Sequence, residues 1–81
     1  MGEGQRLYLS GTKVTDAGLA HLKITSALTT LYLSNTAVTD AGLISLRTVS
    51  GLKVLSLTGT KVTNDGVAAL QRALPKCKIK R

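Results

Sequence analysis

Apolar and polar positions recur along the chain with a period of 24 residues. Three copies, residues 7–30, 31–54 and 55–78, align without gaps. The first and second copies agree at 14 of 24 positions, and the first and third agree at 10. Self-similarity at such a period is the signature of a repeat architecture, in which each unit buries its apolar face against the next one.

Each copy combines a strand pattern with a helix pattern. In the second copy, Leu31 and Leu33 alternate with more polar residues, as in a half-buried strand. A polar turn follows, and then Leu43, Leu46 and Val49 recur at the spacing of one helix face. The sequence therefore predicts three units, each made of a short strand and a helix of about two turns.

The repeated leucines carry a resemblance to a known family. The pattern Leu28-x-x-Leu31-x-Leu33-x-x-Thr36-x-Val38 recurs from Leu52 to Val62 and resembles a leucine-rich repeat. The Thr-Asp-Ala-Gly-Leu block at residues 15–19 and 39–43 is similar to a bacterial 24-residue subtype related to the cysteine-containing repeats.

This resemblance covers nearly the whole chain and implies both architecture and role. It implies an α/β fold: a right-handed solenoid of about three strand–helix repeats, with a parallel sheet on the concave side and helices on the convex side. It also implies a scaffold for protein–protein interaction, not an enzyme, with the partner on the concave strand face. A fold alone does not fix function, so the identity of the partner stays open.

Two threonine columns predict local contacts with the backbone. The first column follows the strands, where a hydroxyl bonds backbone groups left free as the chain turns. The second precedes the helices, where a hydroxyl caps exposed N–H groups. The columns are Thr12, Thr36 and Thr60, and then Thr15, Thr39 and Thr63.

Acidic residues and glycines recur within the predicted first helical turns. Asp16 and Asp40 suit the positive end of the helix dipole. The alternative is a cation site, but two carboxylates supply too few oxygens for calcium, so we expect no metal. The glycines Gly18, Gly42 and Gly66 are single and 24 residues apart. They indicate close backbone approach between units and not a phosphate-binding loop.

Strand residues that point away from the core are the candidate partner-binding residues. Tyr8 and Tyr32 share a column and should stand side by side. Tyrosine supplies rigid amphipathic area at interfaces, although it also has a high strand propensity, and that is the alternative explanation. The predicted face comprises Arg6, Tyr8, Ser10, Thr30, Tyr32, Ser34, Val54, Ser56 and Thr58.

The charge of the chain suggests a second hypothesis. The net charge is +7, and most of it falls after residue 54. Such a basic cluster contacts phosphates or anionic lipid surfaces nonspecifically, or it is simply a solvated end. No nucleic-acid-binding motif accompanies it, so we do not favour nucleic acid as the partner. The cluster comprises Arg72, Lys76, Lys78, Lys80 and Arg81.

Composition excludes most other classes of protein. One His and one Cys do not assemble a plausible nucleophile and base, and they indicate no cofactor. The single Cys cannot form an internal disulfide. No apolar run approaches the roughly 20 residues of a membrane span. No signal-peptide pattern is present, so the cytoplasm is the default expectation for location.

The two ends of the predicted array differ, within one domain covering residues 1–81. Gly4 stands where later copies have leucine, so the first strand should present an uncovered edge. We therefore expect the C-terminal part of a longer array, or self-association through that edge. At the other end Pro75 should stop the last helix. Residues 76–81 should form a charged edge strand, with Cys77 and Ile79 inward.

Overall fold

The computed structural model describes residues 4–22 and 28–81 of the chain. Strands and helices alternate in these ranges. The elements are β1 (Gln5–Tyr8), α1 (Asp16–Leu22), β2 (Leu28–Tyr32), α2 (Asp40–Leu46), β3 (Val54–Ser56), α3 (Asn64–Ala73) and β4 (Lys78–Lys80). None of these helices has the length and hydropathy of a membrane-crossing segment. The predicted α/β class is confirmed.

The strands form one parallel sheet in the order β1-β2-β3-β4. Leu7 pairs with Leu31, Leu31 with Leu55, and Leu55 with Ile79. Each of these partners lies 24 residues after the previous one, so the repeat period directly sets the register of the sheet. The ladder continues past the strand ends, because the Leu33 N–H donates to the Ser56 carbonyl at 2.9 Å.

The core lies between the sheet and the helices and consists mostly of leucines. Leu31, Leu55 and Leu57 contribute buried side chains from the sheet side of the core, and Leu46 and Leu70 contribute them from the helices. Burial is weaker in the first unit, whose strand β1 lies at the edge of the sheet. There Leu7, Leu9 and Val14 are only partly buried.

The turn after each strand repeats the same hydrogen bond. In each case the threonine hydroxyl donates to the carbonyl oxygen three residues earlier, as the sequence predicts. These bonds join Thr12 to Leu9 at 2.6 Å, Thr36 to Leu33 at 2.7 Å and Thr60 to Leu57 at 2.6 Å. The residue before each threonine has a positive φ, which glycine and asparagine tolerate best. These residues are Gly11, Asn35 and Gly59.

The end of α2 differs from the prediction, whereas the extension of α3 up to Pro75 agrees with it. α2 ends at Leu46, so Val49 does not extend its apolar face. Val49 is nevertheless buried, because a turn carries it back toward the core and its N–H donates to the Leu46 carbonyl at 3.0 Å. α3 is three residues longer than α1 and α2, and Leu74 caps it just before Pro75. In the first copy the apolar position near Ile24 is shifted by one residue relative to the second copy, and the predicted difference there lies outside the described residues.

The C-terminal end is joined to the last helix by a side-chain amide. Gln71 on α3 donates from Nε2 to the Leu74 carbonyl at 2.9 Å and to the Cys77 carbonyl at 2.8 Å. Cys77 is buried just before β4, and Ile79 packs against the core from within β4. Both side chains point inward as predicted, although the strand itself covers only Lys78–Lys80.

Candidate binding face

Strand side chains that point away from the helices form one face of the sheet, which we call the open face. Strand residues alternate between two sides, so each buried leucine is flanked by outward neighbours. This is the face that the family resemblance expects to be concave. Its strand residues are Arg6, Tyr8, Thr30, Tyr32, Val54, Ser56, Lys78 and Lys80.

Two stacked tyrosines dominate the open face. Tyr8 and Tyr32 are register partners, and their ring centroids lie 4.9 Å apart with an angle of 11° between the planes. That separation matches the spacing of neighbouring strands, so the sheet itself holds the rings in place. Tyr8 is 65% exposed. The pair is therefore a rigid aromatic surface open to solvent.

Two lysines of β4 join the same face, and the sequence reasoning did not place them there. Val54 pairs with Lys78 and Ser56 pairs with Lys80, while Ile79 between them packs on the core. The signal was present in the sequence, because both lysines lie one period after open-face residues. They were interpreted as part of the basic cluster, which either contacts phosphates or anionic lipid surfaces nonspecifically or is a solvated end.

Three predicted face residues lie in turns and not in strands. Ser10, Ser34 and Thr58 each follow the end of a strand. Two of them form hydrogen bonds between neighbouring units: Ser10 Oγ accepts from the Ser34 N–H at 3.1 Å, and Ser34 Oγ lies 2.7 Å from Ser56 Oγ. These bonds join the turn after β1 to the turn after β2, and the turn after β2 to β3, at the edge of the open face.

The basic cluster does not form one patch. Arg72 lies on α3, whereas Lys78 and Lys80 lie on the open face, across the core from the helices. Lys76 lies in the turn between them. Arg81 is engaged: its guanidinium donates from Nη1 to Asn64 Oδ1, and from Nη2 to the Val62 carbonyl at 3.3 Å.

Hydrogen bonds between units join the starts of the helices in a row that we call the Thr–Asp ladder. The N–H and the hydroxyl of Thr39 donate to the two carboxylate oxygens of Asp16, at 2.8 and 2.5 Å. Thr63 binds Asp40 in the same way, at 2.7 and 2.5 Å. In the third unit Asn64 takes the place of the aspartate, and Arg81 binds it.

Each ladder threonine also caps its own helix, as the sequence predicts. The hydroxyl of Thr39 accepts from the Ala41 N–H at 3.2 Å, and that of Thr63 accepts from the Gly66 N–H at 3.2 Å. A hydroxyl both donates and accepts, so one group serves the cap and the ladder. The two bonds from Thr63 hold the pKa of Asp40 below its ordinary value of 3.8. The sequence indicated the cap but not the bond to the neighbouring unit.

The recurring glycines have a different neighbour from the one predicted. We expected close approach of backbones, but a Cβ at Gly42 would overlap the carboxylate of Asp16. A Cβ at Gly66 would likewise overlap the carboxylate of Asp40. These glycines therefore make room for the Thr–Asp ladder. Gly18 has no such neighbour.

The remaining chemically reactive side chains are dispersed. Burial raises the pKa of the Cys77 thiol, which keeps it in the unreactive protonated form. His21 is exposed on α1. Within residues 4–22 and 28–81, no three His, Cys, Asp or Glu residues lie close enough together to hold a metal ion.

A second surface lies on the helical side of the molecule. A groove of about 320 Å³ runs between α2 and α3 and includes Leu43, Ile44 and Ala69. Ile44 is 63% exposed there and, with Tyr8, is one of the two exposed large hydrophobic residues in the described chain. Substitutions in this groove therefore serve as controls for substitutions on the open face.

Comparison with known proteins supports the repeat architecture. Residues 26–46 and 52–70 match the family model described as Leucine Rich repeat. These stretches contain β2, α2, β3 and most of α3. No curated protein sequence matches the chain. Leucine-rich repeats generally serve as protein-interaction scaffolds and are typically not enzymes.

Proposed function

We propose that this chain is a protein-binding module that captures its partner on the open face. The observation that carries the proposal is the Tyr8–Tyr32 stack, in which a ring 65% exposed is held rigidly by paired strands. Exposed tyrosine is enriched at protein interfaces because it offers a large contact area at low entropic cost. Strand propensity alone accounts for two tyrosines in strands but not for leaving them uncovered.

The arrangement of the sheet favours this face over the others. Residues on paired strands need little ordering when a partner binds, which lowers the cost of association. Among the described residues, the helical side offers Ile44 alone as an exposed large hydrophobic residue, on a helix of seven residues. The open face instead offers two stacked rings with cationic side chains at both of its edges.

A displayed random-peptide library, selected against the folded chain, tests the proposal. Selected peptides are then titrated by fluorescence anisotropy against three proteins: the unchanged chain, the Tyr8→Ala/Tyr32→Ala variant and the Ile44→Ala control. Loss of interface anchors worth about 2 kcal/mol together corresponds to about thirtyfold weaker binding. We expect that loss for the tyrosine variant and none for the control.

The opposite pattern of binding losses would contradict the proposal. Peptides that bind the tyrosine variant normally but lose affinity for Ile44→Ala would place the site in the helical groove. Urea unfolding followed by circular dichroism checks that each variant is folded, which matters most for the half-buried Tyr32.

We also propose that the repeats are of the 24-residue Thr-Asp-Ala-Gly-Leu subtype named above. Its support is that the threonine, aspartate and glycine act together in the Thr–Asp ladder. Asp16 and Gly42 illustrate this, since the glycine of one unit leaves room for the carboxylate of the unit before it. The Gly42→Ala substitution tests that interpretation, because the added Cβ would overlap the Asp16 carboxylate.

A further inference from the structure

One row of open-face residues crosses all four strands, and the third residue of this row has a small side chain. The row contains Tyr8, Tyr32, Ser56 and Lys80, each paired in register with the next. Tyr8 stacks on one side of the Tyr32 ring. The other side of that ring is turned toward β3, where Ser56 has only a hydroxymethyl group.

The position over Ser56, which we call the slot, is the next one in register after the two stacked tyrosines. Neighbouring strands lie about 4.8 Å apart, close to the 4.9 Å between the two tyrosine centroids. A third ring continuing the stack would therefore lie over Ser56, one strand from Tyr32 and one strand from Lys80. The floor of this slot is fixed, because Ser56 Oγ is hydrogen bonded to Ser34 Oγ at 2.7 Å.

Charge on the open face is of one sign. Lys78 and Lys80 lie on β4 beside the slot, and the middle strands contribute only neutral residues to the face. The described acids, Asp16, Asp40 and Asp65, all lie in the first turns of helices. A partner that approaches the slot thus meets positive charge, which favours an acidic segment.

We propose that the open face binds an aromatic side chain within an acidic protein segment. The aromatic ring lies over Ser56 against Tyr32, and carboxylates flanking it in the segment pair with Lys78 and Lys80. This proposal rests on the proposed function and specifies the chemistry of the partner. A single-stranded nucleic acid fits less well, because it needs cations along the whole path of its backbone and the two middle strands of this face carry only neutral residues.

The test uses a fluorescein-labelled peptide with the sequence Gly-Asp-Glu-Tyr-Glu-Asp-Gly. Two comparison peptides replace either the tyrosine by leucine or the four acids by serine. Binding is followed by anisotropy at low salt and at about 150 mM salt. We expect the parent peptide to bind at least about tenfold more tightly than either comparison peptide, and less tightly as salt increases.

Variants of the chain locate the ring. Ser56→Tyr completes the row with a residue that strands favour, so it should fold and fill the slot. Ile44→Tyr adds the same side chain on the helical side and is the matched control. We expect Ser56→Tyr to weaken the parent peptide about tenfold or more, and Ile44→Tyr to leave it unchanged. Lys78→Gln/Lys80→Gln should weaken binding and reduce its salt dependence.

The outcomes separate this proposal from the proposed function. If library peptides need Tyr8 and Tyr32 but the acidic peptide does not bind, or binds Ser56→Tyr normally, the slot proposal is overturned and the open face stands. If library peptides bind the Tyr8→Ala/Tyr32→Ala variant as tightly as the unchanged chain, both the slot proposal and the proposed function are overturned. A single-stranded oligothymidine that binds more tightly than the parent peptide would also overturn the slot proposal.

Discussion

Replacing Gly42 by alanine sets helix propensity against the space needed by the Thr–Asp ladder. In an ordinary helix the change stabilises by up to about 1 kcal/mol. Here the added Cβ would overlap Asp16 Oδ1 and would lie 3.0 Å from Leu19 Cδ1 and 3.1 Å from Val38 Cγ1. Leu19 and Val38 are fully buried and have little room to move.

The unfavourable effects should exceed the gain in propensity. Inserting a methyl group into a packed site costs about 1–3 kcal/mol. The carboxylate of Asp16 must also move, which weakens its two bonds from Thr39, and hydrogen bonds to charged groups are worth about 1.5–3 kcal/mol each when well shielded. Asp16 is half exposed, so we count only a fraction of that value. We expect Gly42→Ala to destabilise the chain by about 2 kcal/mol.

The matched control is the same substitution in the first unit. A Cβ at Gly18 would meet only Val14 Cγ2 at 3.0 Å, and Val14 is only partly buried and free to shift. Gly18→Ala should therefore be neutral or stabilising by up to about 1 kcal/mol. Urea unfolding followed by circular dichroism measures the free energy of unfolding of both variants, and in thermal unfolding Gly42→Ala should lower the Tm by about 10 °C. Equal stability of the two variants would refute the role given to Gly42.

Three further predictions concern the caps, the ladder and the thiol. In urea unfolding, Thr39→Ala should lower the free energy of unfolding more than Thr15→Ala does. The reason is that Thr39 caps a helix, which is worth about 1 kcal/mol, and also binds Asp16. Equal losses of free energy in the two variants would contradict the Thr–Asp ladder. Because Thr63 lowers the pKa of Asp40, the ionised carboxylate stabilises the fold above its unfolded pKa, and this stability is lost as pH falls through the lowered value. The urea midpoint of Asp40→Asn should thus fall less than that of the unchanged chain between about pH 7 and about pH 2.5, and an equal fall would contradict the pKa assignment. Cys77 should react with a chromogenic disulfide reagent only in denaturant, and rapid reaction of the native chain would show that the thiol is accessible.

The sequence predicted the architecture well because the same pattern recurs in every unit, so an inference drawn from one copy applies to the others. The period of 24 fixed the sheet register, and the threonine columns indicated both the turn bond and the helix cap. Each of these depends on residues close together in the chain. Val49 was placed wrongly on a helix because helical spacing alone does not show where a helix ends.

Contacts between units were harder to predict. The bond from Thr39 to Asp16 spans 23 residues and depends on how two units stack. Gly42 was recognised as a site of close packing, but which atom it accommodates emerges only from that stacking. The place of Lys80 beside Ser56 could have been predicted by continuing the period into the final strand.

Nuclear magnetic resonance mapping of a bound library peptide tests the central claim most directly, because it locates contact without changing the chain. The ¹⁵N-labelled protein is titrated with one selected peptide, and amide shifts are followed residue by residue. The open-face account predicts the largest changes in β1–β4, around Tyr8, Tyr32 and Ser56. Changes confined to the α2–α3 groove around Ile44, with the strand amides unmoved, would contradict it.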